Sequence, residues 1–224
     1  FQVGQRVNLA IRRGSVAEAA GEILFQQAVL RDAQHRSAGP HGTQAGEVLH
    51  AIHAVDPTGL DLVPNQLFHH SLNTFMQTYP KPSDAGLMSR AARECVTSHT
   101  PVAPTLLHRD LGTDHVLVDD HGIVGIIDWE RAALGDPAYD VAWWSTHFTL
   151  PDVTLGTGGA VRQGYGVFSD ADFEDRIAHW HLAQSIDAAI YNFESGMTDE
   201  IDRYIDNVRV AMDRSVGGIE PIAR

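Results

Sequence analysis

Cysteine is almost absent: the 224 residues hold one, Cys95. No internal disulfide can form, which excludes a disulfide-stapled extracellular scaffold and fits a reducing, cytoplasmic setting. Positive charge is also scarce. There are 16 Lys and Arg against 29 Asp and Glu, a formal net charge of −13. A protein that grips nucleic acid presents a basic face, so nucleic acid is not an expected partner. The acidity fits two readings, attraction of a cationic small molecule and plain solubility. No apolar run approaches the ~20 residues of a membrane-spanning helix, and no signal-peptide pattern is visible, so no membrane partner is expected. A phosphate loop ending in Gly-Lys-Ser/Thr is missing as well. Gly156-Thr157-Gly158-Gly159 and Gly164-Tyr165-Gly166 follow no strand, so residues 151–166 read as a mobile loop and turn.

What is present is concentrated between residues 106 and 130. Leu106-Leu107 reads as a short apolar strand, followed by the polar stretch His108-Arg109-Asp110-Leu111-Gly112-Thr113-Asp114-His115. Two apolar runs, 116–118 and 123–127, flank the turn formers Asp119-Asp120-His121-Gly122, which predicts a tight hairpin. That hairpin brings the Asp110 loop and Asp128 to the same end of a small sheet. A carboxylate in a His-Arg-Asp loop, with a second carboxylate after the next hairpin, is a pattern used for phosphoryl transfer.

Four ordered pieces, His108-Arg109-Asp110, His115, Ile126-Ile127-Asp128-Trp129 and Gly135-Asp136-Pro137 with Asp140, resemble the catalytic core of the antibiotic phosphotransferases. These are the aminoglycoside and macrolide kinases, which share the protein-kinase fold. The resemblance implies Asp110 as the base that accepts the proton of an attacking hydroxyl, a contribution of roughly 10²–10⁴ in rate. It implies Asp128 as a ligand of Mg²⁺ on the phosphates of ATP or GTP, a role for which oxygen donors suit a hard cation. His108 and Asp140 take supporting roles, Asp140 bracing the loop. Five residues after the base most kinases carry Asn as the second metal ligand; this chain has His115. The macrolide branch is similar in carrying His there. Imidazole suits softer metals, so the neighbouring carboxylate of Asp114 is the alternative ligand.

The same resemblance reaches the first residues. Residues 7–13 alternate and predict a strand; Leu9-Ala10-Ile11-Arg12 is similar to the kinase strand whose final Lys contacts the nucleotide phosphates. Arg12 stands for that Lys, and Glu22, on a helix predicted over 17–31, is its implied ion-pair partner. No glycine-rich loop precedes Arg12. The short polar segment 31–44 cannot hold the remaining strands and hinge, so the amino-terminal lobe is either reduced or represented in part.

Periodicity predicts helices over 46–55, 65–79 and 84–99, the last with Ser83 as cap and Cys95 on its buried stripe. His50 and His53 lie three apart on the first, a spacing that can bind metal, but with no third ligand nearby packing or solvent exposure is the expectation for them. Asp136-Pro137 predicts a helix start, with Trp143 and Trp144 in the core. A long helix over 172–195 should end at Gly196, and a last one should run from Thr198 to about Arg214. The tail of the long helix resembles the macrolide kinases' substrate-side helices, which makes Asp187 and Glu194 candidate contacts for an ammonium group.

The expected fold is α+β and protein-kinase-like. Residues 1–45 form a partial nucleotide-side lobe; residues 46–224 form a mostly helical catalytic and substrate-binding lobe with a small β-hairpin. The expected activity is that of a monomeric kinase acting on a hydroxyl of an aminosugar antibiotic. The alternatives are a choline, sugar or homoserine kinase and a non-catalytic drug-binding module.

Overall fold

The computed structural model describes residues 42–66, 72–98, 101–112, 115–119, 122–146, 157–167, 170–197 and 200–217. Arg12, Glu22, Asp114 and Thr198, and the strand and helix read over 7–31, lie outside the described residues. Helix α1 spans Gly42–His53 and turns Ala45, Leu49 and Ile52 into the core. Helix α2 covers Leu72–Thr78. The longer helix read over 65–79 is shortened at its start, because Asn65 is extended. Its N–H donates to the carbonyl of Leu134 at 2.7 Å, and Leu134 donates to Val63 at 3.0 Å. A long-range bridge between Pro64 and Leu134 takes the place of local helical bonds there.

Helix α3 spans Pro82–Ser98 and buries Leu87, Met88, Ala91, Ala92 and Cys95, the stripe read from the sequence. Its start differs from expectation. Pro82 holds the first helical position, which needs no N–H donor. The carbonyl of Lys81 accepts from Asp84 and Ala85, so Lys81 rather than Ser83 is the boundary.

Among the described residues the β structure is two separate antiparallel ladders, where a single small sheet was expected. Strand β1 (Thr105–Leu107) pairs with β4 (Ala133–Gly135), Leu106 opposite Leu134. Strands β2 (Val116–Asp119) and β3 (Gly122–Ile126) form the hairpin, with a bulge after Leu117. Helix α4 spans Ala138–Thr146. Its start matches the Asp-Pro reading: the Asp136 carboxylate accepts the Ala138 N–H at 2.9 Å.

Residues 157–165, read as loop, are helix α5 (Thr157–Tyr165). Gly164 in it serves close contact rather than flexibility. A Cβ on Gly164 would stand 1.8 Å from the carbonyl oxygen of Thr43, and one on Gly46 would stand 2.1 Å from that of Val161. Helices α1 and α5 therefore meet backbone to backbone. Helix α6 (Ala171–Glu194) starts with the Asp170 side chain accepting from Phe173 and ends before Gly196, whose φ of 72° is left-handed as expected. It buries Ile177, Trp180, Ala183, Ile186 and Ile190 against α4 and α7 (Ile201–Gly217). The described residues are thus mostly helical, with two short ladders whose residues Leu107 and Val116 join the helical core. No helix among them is long and apolar enough to cross a membrane.

Candidate active site

Strand β1 delivers His108 into the interior, fully buried. Its Nε2–H donates to the carbonyl of Ile127 at 2.8 Å, and Nδ1 accepts the Asp110 N–H at 3.3 Å. Burial lowers the imidazole's pKa, so the ring is held neutral. One side chain thus ties the loop after β1 to the chain leaving β3. The ring of Trp129 packs edge-on against it, 4.6 Å between centroids.

Asp140, on the first turn of α4, is fully buried. Its Oδ2 accepts the N–H of His108 at 2.7 Å and its Oδ1 accepts that of Arg109 at 2.8 Å. Arg109 needs this grip, since its φ of 69° is left-handed, a conformation that costs a β-carbon residue about 1–3 kcal/mol. Among the described residues Asp128 is the other such non-glycine residue, with φ 70°. The two strained positions are the neighbour of one candidate carboxylate and the other carboxylate itself.

His115 joins them. Its Nδ1 lies 2.5 Å from the carbonyl oxygen of Asp110. A carbonyl can only accept, so Nδ1 carries the proton. In the neutral ring Nε2 then presents a lone pair, and it stands 3.4 Å from Asp128 Oδ2. The Asp128 carboxylate is part-exposed, and so is that of Asp110, 3.7 Å from the Arg131 guanidinium. Glu130 follows on the short 3₁₀ turn Trp129–Arg131. A hydrogen bond to Asp128, and then the charge of Asp128, raise the Glu130 carboxyl above its ordinary value. The loop and the hairpin exit therefore put Asp110, His115, Asp128, Glu130 and Arg131 in one solvent-reached place.

This donor set, carboxylate oxygens with one imidazole lone pair, fits a divalent cation that completes its shell with phosphate oxygens and water. No ready-made cluster of three protein ligands exists among the described residues. Asp187, half-buried, and Glu194, exposed, lie two turns apart on one face of α6.

Sequence reasoning missed four residues here. Glu130 and Arg131 stand two and three residues after Asp128, and the 3₁₀ turn that carries them has no strong local signal. His53 and Tyr165 were missed because their partner is remote. His53 Nε2 is 3.1 Å from Asp140 Oδ2, and its Nδ1 is 2.8 Å from the Tyr165 hydroxyl. The neighbouring His50 Nδ1 lies 2.9 Å from the Tyr165 carbonyl oxygen. His50 is exposed and His53 is buried, both within the expectation of packing or solvent exposure, and His53 packs against the loop's brace.

Comparison with known proteins gives a concordant result. An uncharacterized protein of Bacillus subtilis (strain 168), YcbJ, is 36% identical over 117 residues, which are 52% of this chain and 38% of that protein. A thermostable mutant of aminoglycoside phosphotransferase APH(4)-Ia, in ternary complex with ADP and hygromycin B, is similar with TM-score 0.61 and 21% identity, covering 81% of this chain and 67% of that one. A choline/ethanolamine kinase family protein from Mesorhizobium loti gives 0.59 at 14% identity, over 77% and 61%. A macrolide 2'-phosphotransferase type I gives 0.52 at 17%, over 78% and 60%. At these identities the solved structures share the fold, which is protein-kinase-like. The family model described as phosphotransferase enzyme family matches residues 19–176, a span that contains the whole 108–140 site, and the chain belongs to that family.

Proposed function

We propose that this phosphotransferase moves the γ-phosphate of ATP or GTP to a hydroxyl of an aminosugar-bearing antibiotic. The supporting observation is His115, which bonds the backbone of Asp110 and faces the carboxylate of Asp128, so that the two acidic groups share one site. Asp110 accepts the hydroxyl proton as the new O–P bond forms and the bond to the bridging oxygen breaks, leaving a nucleoside diphosphate. Asp128 and His115, with Glu130 adjacent, would hold Mg²⁺, which supplies compensation for negative charge on the phosphoryl oxygens. Arg131 places a further positive charge beside Asp110. The acidic side chains of α6, Asp187 and Glu194, suit the ammonium of the acceptor, and the net charge of −13 favours its approach.

A second reading is a metabolic kinase acting on choline or a similar alcohol. It is favoured by the fold likeness to the choline/ethanolamine kinase family protein, close in score to that of the aminoglycoside enzyme. The separating experiment is a coupled nucleotide-consumption assay, with ATP and with GTP, across macrolides, aminoglycosides and choline. Turnover with one antibiotic class, reduced at least about 100-fold by Asp110→Asn, supports the first reading. Turnover with choline alone supports the second. Saturable binding of a drug with no nucleotide consumption leaves a binding module and sinks both.

A further inference from the structure

Asp140 is a fully buried carboxylate that serves two backbone amides of the Asp110 loop. Burial acts to raise its pKa. The hydrogen bond and charge interaction with His53, followed by His108, outweigh that and hold the group below the ordinary carboxylate range. His53 is the side-chain donor in this set, at 3.1 Å from Oδ2. It stands 87 residues away in sequence, on the last turn of α1.

The direction of each hydrogen bond follows from chemistry. A carboxylate accepts, so His53 carries its proton on Nε2. Its Nδ1 then accepts from the Tyr165 hydroxyl at 2.8 Å. Burial pushes the Tyr165 phenol up, so it stays protonated and remains a donor. Tyr165 closes α5, and α5 is pressed onto α1 at Gly46 and Gly164. A chain of fixed donors thus runs from α5 through His53 to Asp140, and from Asp140 to the left-handed residue before Asp110.

We propose that His53 is a positioning residue for phosphoryl transfer: its Nε2–H orients the Asp140 carboxylate, which clamps the N–H groups of His108 and Arg109 and so aims Asp110. This rests on the kinase reading given above. A misplacement of about 1 Å at such a group costs roughly 100-fold in rate, so the effect belongs in kcat. A histidine that only filled space would be replaced without loss by an apolar side chain of similar size.

The test uses the full chain with His53→Leu, His53→Gln and Tyr165→Phe. Glutamine can place an amide N–H near the Nε2 position; leucine cannot. Hydrogen–deuterium exchange at the His108 and Arg109 amides is one readout, and it needs no acceptor. Turnover is the other, measured with whichever member of the antibiotic and choline panel is consumed. In His53→Leu those two amides should exchange at least about tenfold faster while α3 amides keep their wild-type rates. The same variant should lose roughly 10–100-fold in kcat with nucleotide KM within about twofold. His53→Gln should recover most of both, and Tyr165→Phe should show a smaller change in the same direction. If His53→Leu does not fold, the Gln and Phe variants carry the comparison through the same amides. Wild-type exchange at 108 and 109 in the Leu variant, or a Gln variant as impaired as Leu, overturns the proposal. A wild-type protein that consumes no nucleotide with any acceptor of the panel sinks the kinase reading instead, and the exchange result still decides the role of His53 at the loop.

Discussion

His108 carries a pH dependence whose sign follows from its surroundings. Burial lowers its pKa below the ordinary 6.5, so between the folded value and 6.5 the unfolded chain binds a proton that the folded chain does not. Stability from this group is complete above 6.5 and falls as pH drops toward the folded value. The lowered Asp140 carboxyl acts in the same direction at lower pH. Its contribution is present above 3.8 and is lost as pH falls through its folded pKa. The urea midpoint should therefore decline from about pH 7.5 to about pH 5.5, an interval in which histidine rather than Asp140 titrates. His108→Gln should have a lower midpoint at neutral pH and a flatter slope over that interval. An unchanged slope would mean that other histidines carry the effect. At this scale the loop residues were legible, since His108, Asp110, His115 and Asp128 fall within 21 positions and bond mainly to one another. His53 was not legible as part of the site. Its place on an amphipathic helix says only that it is half-turned to the core, and its partners lie 87 and 112 residues away.

Helix α5 shows why a glycine-rich segment misleads. Glycine lowers helix propensity, and three glycines in Thr157–Tyr165 argue locally for a loop. The structure uses Gly164 for the absence of a Cβ, which lets the backbone of α1 approach. That requirement belongs to a pair of helices and is invisible in either one alone. Gly164→Ala should then be far more damaging than its size suggests. Overpacking of this kind costs about 1–3 kcal/mol, and here the obstruction is a carbonyl rather than a side chain that can rotate away. Gly159 in the same helix is the control, with no atom within 4 Å of an added Cβ. Gly159→Ala should stabilise by up to about 1 kcal/mol through propensity alone. Thermal melts check both, at roughly 2–4 °C per kcal/mol for a chain of this size. Equal effects of the two substitutions would remove the close-packing account. The helices with clean apolar stripes, such as α3, were legible because one face of each meets the core along its whole length. The early end of the 65–79 reading fails for the opposite reason: Asn65 bonds to Leu134, a strand residue far along the chain.

The molecule as a whole carries a field that acts differently on the two substrates of a kinase. A formal charge of −13 attracts an ammonium-bearing acceptor and repels a polyphosphate. Asp110, Asp128 and Glu130 sharpen the repulsion at the site itself, with Arg131 the opposing charge beside Asp110. A divalent cation on the phosphates would reverse that local balance, so in the proposed reaction the donor set there would matter more than the overall charge for nucleotide. Salt should separate the two contributions. The screening length falls from about 30 Å at 0.01 M to about 8 Å at 0.15 M, so attraction from acidic groups distant from the site fades over that range. The KM for a cationic acceptor should rise several-fold across it, while the KM for the metal–nucleotide complex stays level or falls. A neutral acceptor should show no such rise. Steady-state kinetics at fixed free Mg²⁺ over that salt series decides the matter. An acceptor KM indifferent to salt would reduce the acidity to solubility, and the case for an amine-bearing substrate would then rest on α6 alone.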